Sequence, residues 1–334
     1  MKSLLKTLTE IYGPSGHEDA VRKIIQKEVK PFADEMRVDA MGSLIVRKKP
    51  TVDVENSKRI MLAAHMDEIG VIASHIDKNG FVRFASNGGV FGRYTLGARI
   101  RFMNGVTGVV GFDKFENVDQ APAMNKMYID VGATSRSDCP VKVGDFGAFE
   151  RSYMEMGNRL VAKSMDDRSG VVVLIETLKA IKSTPHDLFF VFTTQEEVGV
   201  RGAGTAAYRI DPEIGLAVDV TATGDTPASS KVNMDLGKGP CVKVRDPGML
   251  SDPRVVEWMI NTAEKGKIPY QREVLLMGST DARAIQLTRS GVMAGALSIP
   301  CRYVHSASEM VDLDDLKNSV KLLTAMLSKP VKFN

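Results

Sequence analysis

Ile60-Met61-Leu62-Ala63-Ala64 runs without a break into His65-Met66-Asp67-Glu68. A short continuous apolar run is the pattern of a strand covered on both faces, as at the centre of an α/β sheet. The histidine and acids that follow it stand at the carboxyl end of that strand. Open α/β sheets keep their functional sites at that edge.

Outward from this stretch, the chain changes texture twice. Residues 1–30 read as two helices separated by Gly13-Pro14-Ser15-Gly16, with Ser15 or Gly16 able to cap the second. A charged, turn-rich stretch from Lys48 to Lys58 leads into the strand. From residue 67 to 155, short β-branched and aromatic segments alternate with turns such as Asn79-Gly80 and Asn104-Gly105, which predicts a small β-barrel or sandwich. From residue 156 the helix–strand alternation returns. Val171–Ile181, Val255–Ala263, Ala282–Thr288 and Leu313–Leu327 read as helices, and Leu188–Phe192, Leu216–Val218 and Val292–Ile299 as strands. The expectation is an α/β fold built from 1–66 and 156–334, with a β module, 67–155, inserted into it. Two consecutive domains are the alternative, disfavoured because the same texture flanks the insert.

Composition sets bounds on function. A chain of 334 residues has room for about two domains. Its hydrophobic fraction of 43% and charged fraction of 25% are those of a globular protein, not of a disordered or fibrous one. A net charge of +3 does not call for a nucleic-acid partner. No run of about 18 apolar residues suggests a membrane span. The amphipathic start, with Lys6 and Glu10 breaking its apolar residues, is not an export signal. Three scattered cysteines, Cys139, Cys241 and Cys301, suit a reducing compartment and a cytoplasmic location.

The chemistry-bearing residues cluster at strand ends. His305 follows Ser298-Ile299-Pro300-Cys301-Arg302-Tyr303-Val304, Glu196-Glu197 follows Phe192-Thr193-Thr194-Gln195, and Asp219 follows Leu216-Ala217-Val218. Asp166-Asp167 precedes the Val171 helix. Each has an ordinary reading alone: a structural histidine, a solvated acidic turn, or, for Asp167, a helix cap. Together they place two imidazoles and several carboxylates at one edge. Packed carboxylates raise each other's pKa unless a cation relieves them. Imidazole with carboxylate suits zinc, cobalt or manganese, and this donor set is enough for two ions sharing one bridging carboxylate, the arrangement of many hydrolases. His17, His75 and His186 read as non-ligands. The chain carries no GxSxG, HExxH or Walker motif.

The same stretches resemble the tetrahedral aminopeptidases, dinuclear-metal exopeptidases of glutamyl, leucyl, lysyl and deblocking types, some of which carry an endoglucanase label. The resemblance spans nearly the whole chain: Gly13-Pro14-Ser15-Gly16-His17-Glu18, Ala64-His65-Met66-Asp67-Glu68-Ile69-Gly70, Met165-Asp166-Asp167-Arg168-Ser169-Gly170, Gln195-Glu196-Glu197-Val198-Gly199, Ala217-Val218-Asp219, Gly237-Lys238-Gly239-Pro240, Ser279-Thr280-Asp281-Ala282 and Ser298 to Ser306. It implies a mixed sheet flanked by helices, of zinc-exopeptidase type, with 67–155 as a small β-barrel dimerisation domain. It implies that His65 and Asp219 hold one divalent ion, that Glu197 and His305 hold a second, and that Asp166 bridges them. Glu196 would be the general base and Asp67 would orient His65. The implied activity is removal of N-terminal residues from short peptides with a free amino terminus, by a cytoplasmic homo-oligomer of twelve subunits. Gly89-Val90-Phe91-Gly92-Arg93-Tyr94 falls where relatives vary and the substrate pocket is shaped. The rival readings are a dinuclear deacylase of N-acyl amino acids and a catalytically dead, metal-stabilised scaffold. The retained Glu196 argues against the scaffold.

Overall fold

The structure, a computed structural model, describes residues 1–55, 57–114, 122–229 and 231–333. Three strands come first: β1 (Glu35–Val38), β2 (Leu44–Lys48) and β3 (Arg59–His65). Six more, β4 (Gly70–Ile76), β5 (Val82–Asn87), β6 (Arg99–Phe102), β7 (Thr107–Phe112), β8 (Met127–Asp130) and β9 (Phe146–Phe149), close into a barrel in the order β4-β5-β8-β7-β6-β9. The remainder are β10 (Met154–Met156), β11 (Arg159–Ala162), β12 (Asp187–Thr193), β13 (Ile214–Ala222), β14 (Cys241–Asp246), β15 (Met249–Leu250), β16 (Gln271–Val274), β17 (Met293–Arg302) and β18 (Glu309–Asp312). The helices are α1 (Lys2–Glu10), α2 (Asp19–Val29), α3 (Gly92–Thr95), α4 (Met165–Ala180), α5 (Arg201–Ile210), α6 (Pro253–Gly266), α7 (Ala282–Gln286) and α8 (Leu313–Leu327).

Among the described residues the strands outside the barrel form one twelve-stranded sheet, with the path β1-β2-β12-β3-β13-β17-β18-β11-β10 and with β14, β15 and β16 joined beside β17. The sheet is mixed. Its centre, β12-β3-β13-β17, is parallel, and the pairings on either side along the path are antiparallel, while β14 pairs with β16 in parallel. Parallel strands need cover on both faces, and β3 shows how it is supplied. Ile60, Leu62 and Ala64 join the core with α1, α2, α4, α6 and α8, while Met61 and Ala63 join the opposite core with α5. The Val171–Ile175 stretch of α4 is apolar all round and fully buried, because the helix is covered by the sheet on one side and by α1, α2 and α8 on the other. The choice between barrel and sandwich is settled by the closed barrel, whose own core includes Val71, Phe84, Ile100, Phe102 and Ile129.

The sheet register gathers the strand ends. Thr193 of β12 pairs with His65, and Ala217 of β13 pairs with Ala63. Continuing that register puts Asp219 level with His65. Asp219 is therefore not at the end of its strand as its sequence suggests: β13 runs on to Ala222 along β17, having parted from β3 after Ala217. Ser15 and Gly16 do not cap α2, whose N-cap is Glu18. The Ser15 hydroxyl instead donates to Asp67.

The joint between β3 and the barrel is anchored by buried charge. Fully buried Arg168 donates from Nε to the Met66 carbonyl and from Nη1 to the Leu8 carbonyl. Glu68 accepts from the Gly13 amide at 2.8 Å and from Lys163 Nζ at 2.6 Å. These contacts hold the turn after β3 against α1 and α4. Since β3 is the strand around which the sheet is built, Leu62→Ala is expected to destabilise the protein by roughly 2–5 kcal/mol. Urea unfolding checks this; a loss below 1 kcal/mol would mean that the core closes around the gap.

Candidate active site

Five chain segments meet at the carboxyl edge of the parallel strands. His65 ends β3. Glu196 and Glu197 lie in the turn after β12, a turn closed by the amides of Gly199 and Val200 donating to the Glu196 carbonyl. Asp219 comes from β13, and His305 from the loop between β17 and β18. Asp166, at the non-helical start of α4, lies between them. Its Oδ1 is 2.9 Å from His65 Nε2, and its Oδ2 is 3.4 Å from His305 Nε2. On the His65 side, Asp219 Oδ1 is 3.8 Å from the same Nε2. On the His305 side, Glu197 Oε2 is 3.3 Å from His305 Nε2. The sequence-selected residues are thus brought together as two imidazole–carboxylate pairs on either side of one carboxylate. Glu196 stands closest to the His65 side, its Oε2 4.0 Å from Nε2.

Asp67 braces this arrangement. It is fully buried and accepts from the backbone amides of Glu196 at 3.0 Å and Glu197 at 3.2 Å, and from the Ser15 hydroxyl at 2.6 Å. Its backbone carbonyl is 3.0 Å from His65 Nδ1, and its carboxylate is 3.5 Å from the same atom. Orientation of the imidazole is therefore shared between main chain and side chain. Asp167 takes the capping reading. Oδ1 accepts from the Gly170 amide at 2.9 Å and Oδ2 from the His65 amide at 3.3 Å. A Cβ at position 170 would stand 2.4 Å from that Oδ1, so glycine is what lets the cap approach.

Two acids escaped the reading of the sequence. Glu309 is buried and accepts from the His305 amide at 2.8 Å and the Asp166 amide at 2.9 Å, tying both loops together. Its position four residues after His305, at the start of β18, was the available signal. Asp281, quoted only as part of a motif, is buried and accepts from Thr193 Oγ1, with its Oδ1 unpartnered.

So many buried carboxylates distort one another's titration. Burial pushes Glu197 up to about 7, against the opposing pull of His305. Burial likewise raises Glu196 and Asp219 well above the carboxylate range, and Asp281 to about 6. Burial would lower the histidines, but the surrounding carboxylates overcome it: His305 is held up at about 10, chiefly by Glu197 and Asp166, and His65 is raised well above its usual value by Asp166 and Asp67. Burial alone would raise Asp166, yet the two imidazoles hold it low.

This donor set fits divalent cations. His65, Asp166 and Glu197 offer ligand atoms all within 4.8 Å of one another, as do His65, Asp167 and Asp219. In the second group the Asp167 oxygens are already used by amides, leaving Asp166 as the freer partner. Glu197 Oε1 is buried with no hydrogen-bond partner, a costly state for a carboxylate oxygen unless a cation meets it. Above the site lies a cavity of about 780 Å³, lined from the barrel side by Gly89, Phe91, Arg93 and Tyr94 and from the sheet side by residues including Thr221, Met277 and Tyr303.

Comparison with known proteins identifies a family. The family model for M42 glutamyl aminopeptidases matches residues 42–322. A lysyl aminopeptidase of Pyrococcus furiosus is 34% identical, with 99% of this chain and 98% of the relative covered. Among solved structures, an aminopeptidase of the archaeon Desulfurococcus kamchatkensis superposes with a TM-score of 0.93 at 40% identity, covering 98% of this chain and 94% of that one. The TET1 peptidase of Pyrococcus horikoshii, which can assemble into a tetrahedron or a large octahedral shell, superposes at 0.87 with 33% identity, covering 98% and 99%. The chain belongs to the M42 glutamyl aminopeptidase family, and so is a peptide hydrolase of a metallopeptidase family that employs divalent ions.

Proposed function

We propose that this protein removes N-terminal residues from short peptides through a dinuclear metal site in which Asp166 bridges. The observation that carries the reading is the division of Asp166: one oxygen faces His65 and Asp219, the other faces His305 and Glu197. His65 with Asp219 would hold one ion and His305 with Glu197 the other. Zinc or cobalt suits the nitrogen and oxygen donors best, and manganese is also compatible. Bound ions would supply Lewis acidity for the scissile carbonyl and acidify water at the site.

The remaining chemistry belongs to side chains. Asp67 orients His65 and fixes the amides of the 196–197 turn. Glu196 is the general base; it would receive a proton at a carboxylate oxygen and return one to the leaving amine. The wide cavity accommodates a peptide, with the barrel loop forming one wall. Deacylation of N-acyl amino acids is the rival use of the same residues; cleavage of a free-amino dipeptide but not of an N-acetyl amino acid distinguishes the two.

We further propose that residues 67–155 serve as a dimerisation domain and that the chain self-assembles, with twelve subunits as the expected closed form. Exposed apolar side chains at Val109 and Val143 on the barrel, and at Met277 and Leu287 elsewhere, support buried contacts between copies. The three free cysteines fit a cytoplasmic setting.

Glu196→Gln is expected to retain both ions and lose about 10²–10⁴-fold in kcat, whereas Glu197→Gln should lose metal. Aminoacyl-p-nitroanilide kinetics beside metal analysis tests this, and equal metal loss in the two variants would reverse the assignment. A second expectation follows from the histidines. The carboxylates favour the protonated form of both in the metal-free protein, with His305 held up at about 10, so metal must compete with protons, and affinity should rise as pH increases from 7 toward 9. Calorimetry in buffers of different ionisation enthalpy should show proton release on loading; an enthalpy independent of buffer would contradict it.

A further inference from the structure

The two imidazoles of the site are held in different ways. His65 ends a strand buried from Ile60 onward and is braced by Asp67. His305 sits in a loop, at φ +62, with Tyr303 also left-handed two residues earlier. Its backbone amide is tied to Glu309, but a tied amide does not fix the side-chain torsions. The ring therefore needs a wall, and the wall is not part of the sheet that carries it.

That wall is the barrel loop after β5. Asn87 ends the strand, and its side-chain amide donates to the Ser15 carbonyl at 3.1 Å, pinning the loop to the sheet domain. A Cβ built at Gly89 would stand 2.4 Å from His305 Nδ1 and 2.5 Å from Cε1, closer than any real contact. Gly89 is not in the left-handed region, so space, not backbone conformation, demands glycine there. The Phe91 ring lies beside the same imidazole, centroids 5.9 Å apart and tilted by 31°. Nε2, bonded to that Cε1, faces Asp166 and Glu197.

We propose that Gly89 and Phe91 are positioning residues for His305, so that the barrel loop sets the affinity of the metal position formed by His305, Glu197 and Asp166 Oδ2. This rests on the dinuclear reading above. It makes the two positions unequal: the His65 position is preset within the sheet, whereas the His305 position depends on a loop from the neighbouring barrel. A Cβ at residue 89 would force the imidazole from its place, since its nearest neighbours are all atoms of His305.

The test is cobalt titration of metal-stripped full-length protein, followed by visible absorption and by metal analysis after dialysis. Variants are Gly89→Ala, Phe91→Leu, Phe91→Tyr and His305→Ala. Wild type should take two ions. Gly89→Ala should take one with unchanged spectrum and affinity and lose the second, matching His305→Ala, with the unfolding midpoint of the metal-free protein unaltered. Phe91→Leu should weaken only the second ion, by about tenfold, the usual scale for a side chain that orients a ligand, and Phe91→Tyr should restore it. Phe91 is 44% exposed, so its substitution spares the fold and decides the matter if Gly89→Ala does not fold. Wild-type affinity for both ions in Gly89→Ala and Phe91→Leu overturns the inference and leaves the dinuclear reading standing. A wild type that takes fewer than two ions overturns both.

Discussion

One buried carboxylate, Asp67, joins three parts of the chain that would otherwise end separately. It takes the amides of the turn after β12, the hydroxyl of the turn between α1 and α2, and a place beside the imidazole at the end of β3. A charged group without water is stable only when such donors surround it. The arrangement turns that requirement into geometry: by satisfying Asp67, the fold sets the position of His65 relative to Glu196 and Glu197. The buried pair Lys163–Glu68 and the fully buried Arg168 act just behind it, holding the same turn to α1 and α4.

Around this brace the protein gathers more negative charge than its own cations balance. Asp166, Glu196, Glu197, Asp219, Asp281 and Glu309 crowd two histidines, and the result is five carboxyls raised by burial, with Asp166 held low by the imidazoles, beside imidazoles raised by carboxylates. Such a cluster costs stability unless positive charge enters it. Protons fill that role in part, and on the proposed reading divalent ions fill it in the working enzyme. The strained electrostatics of the metal-free protein and the catalytic use of metal are then two sides of one design, consistent with membership of a metallopeptidase family.

What the sequence revealed follows from where each element lies. The four central parallel strands were legible because they are covered on both faces and so appear as unbroken apolar runs, Ile60–Ala64 and Leu188–Phe192 most clearly. The flanking strands were not: Glu35–Val38 is largely exposed and reads as loop, and β14 to β16 gain their strand character from pairing with β17 and with one another. The site residues were legible because strand ends carried His65, the 196–197 acids and His305. Asp219 was identified but misplaced, since only the parting of β13 from β3 exposes a residue three short of the strand's end. The Gly89 contact was illegible because its role exists only through His305, distant in sequence, and the tie from Glu309 to Asp166 was hidden for the same reason.

The most direct measurement is the anomalous scattering of a crystal of the cobalt- or zinc-loaded protein. The account predicts two peaks, about 3.5–4 Å apart as in other paired-metal hydrolases, on either side of the Asp166 carboxylate. One peak should lie beside His65 and Asp219, the other beside His305 and Glu197. A single peak, or two peaks that do not share Asp166, would contradict it.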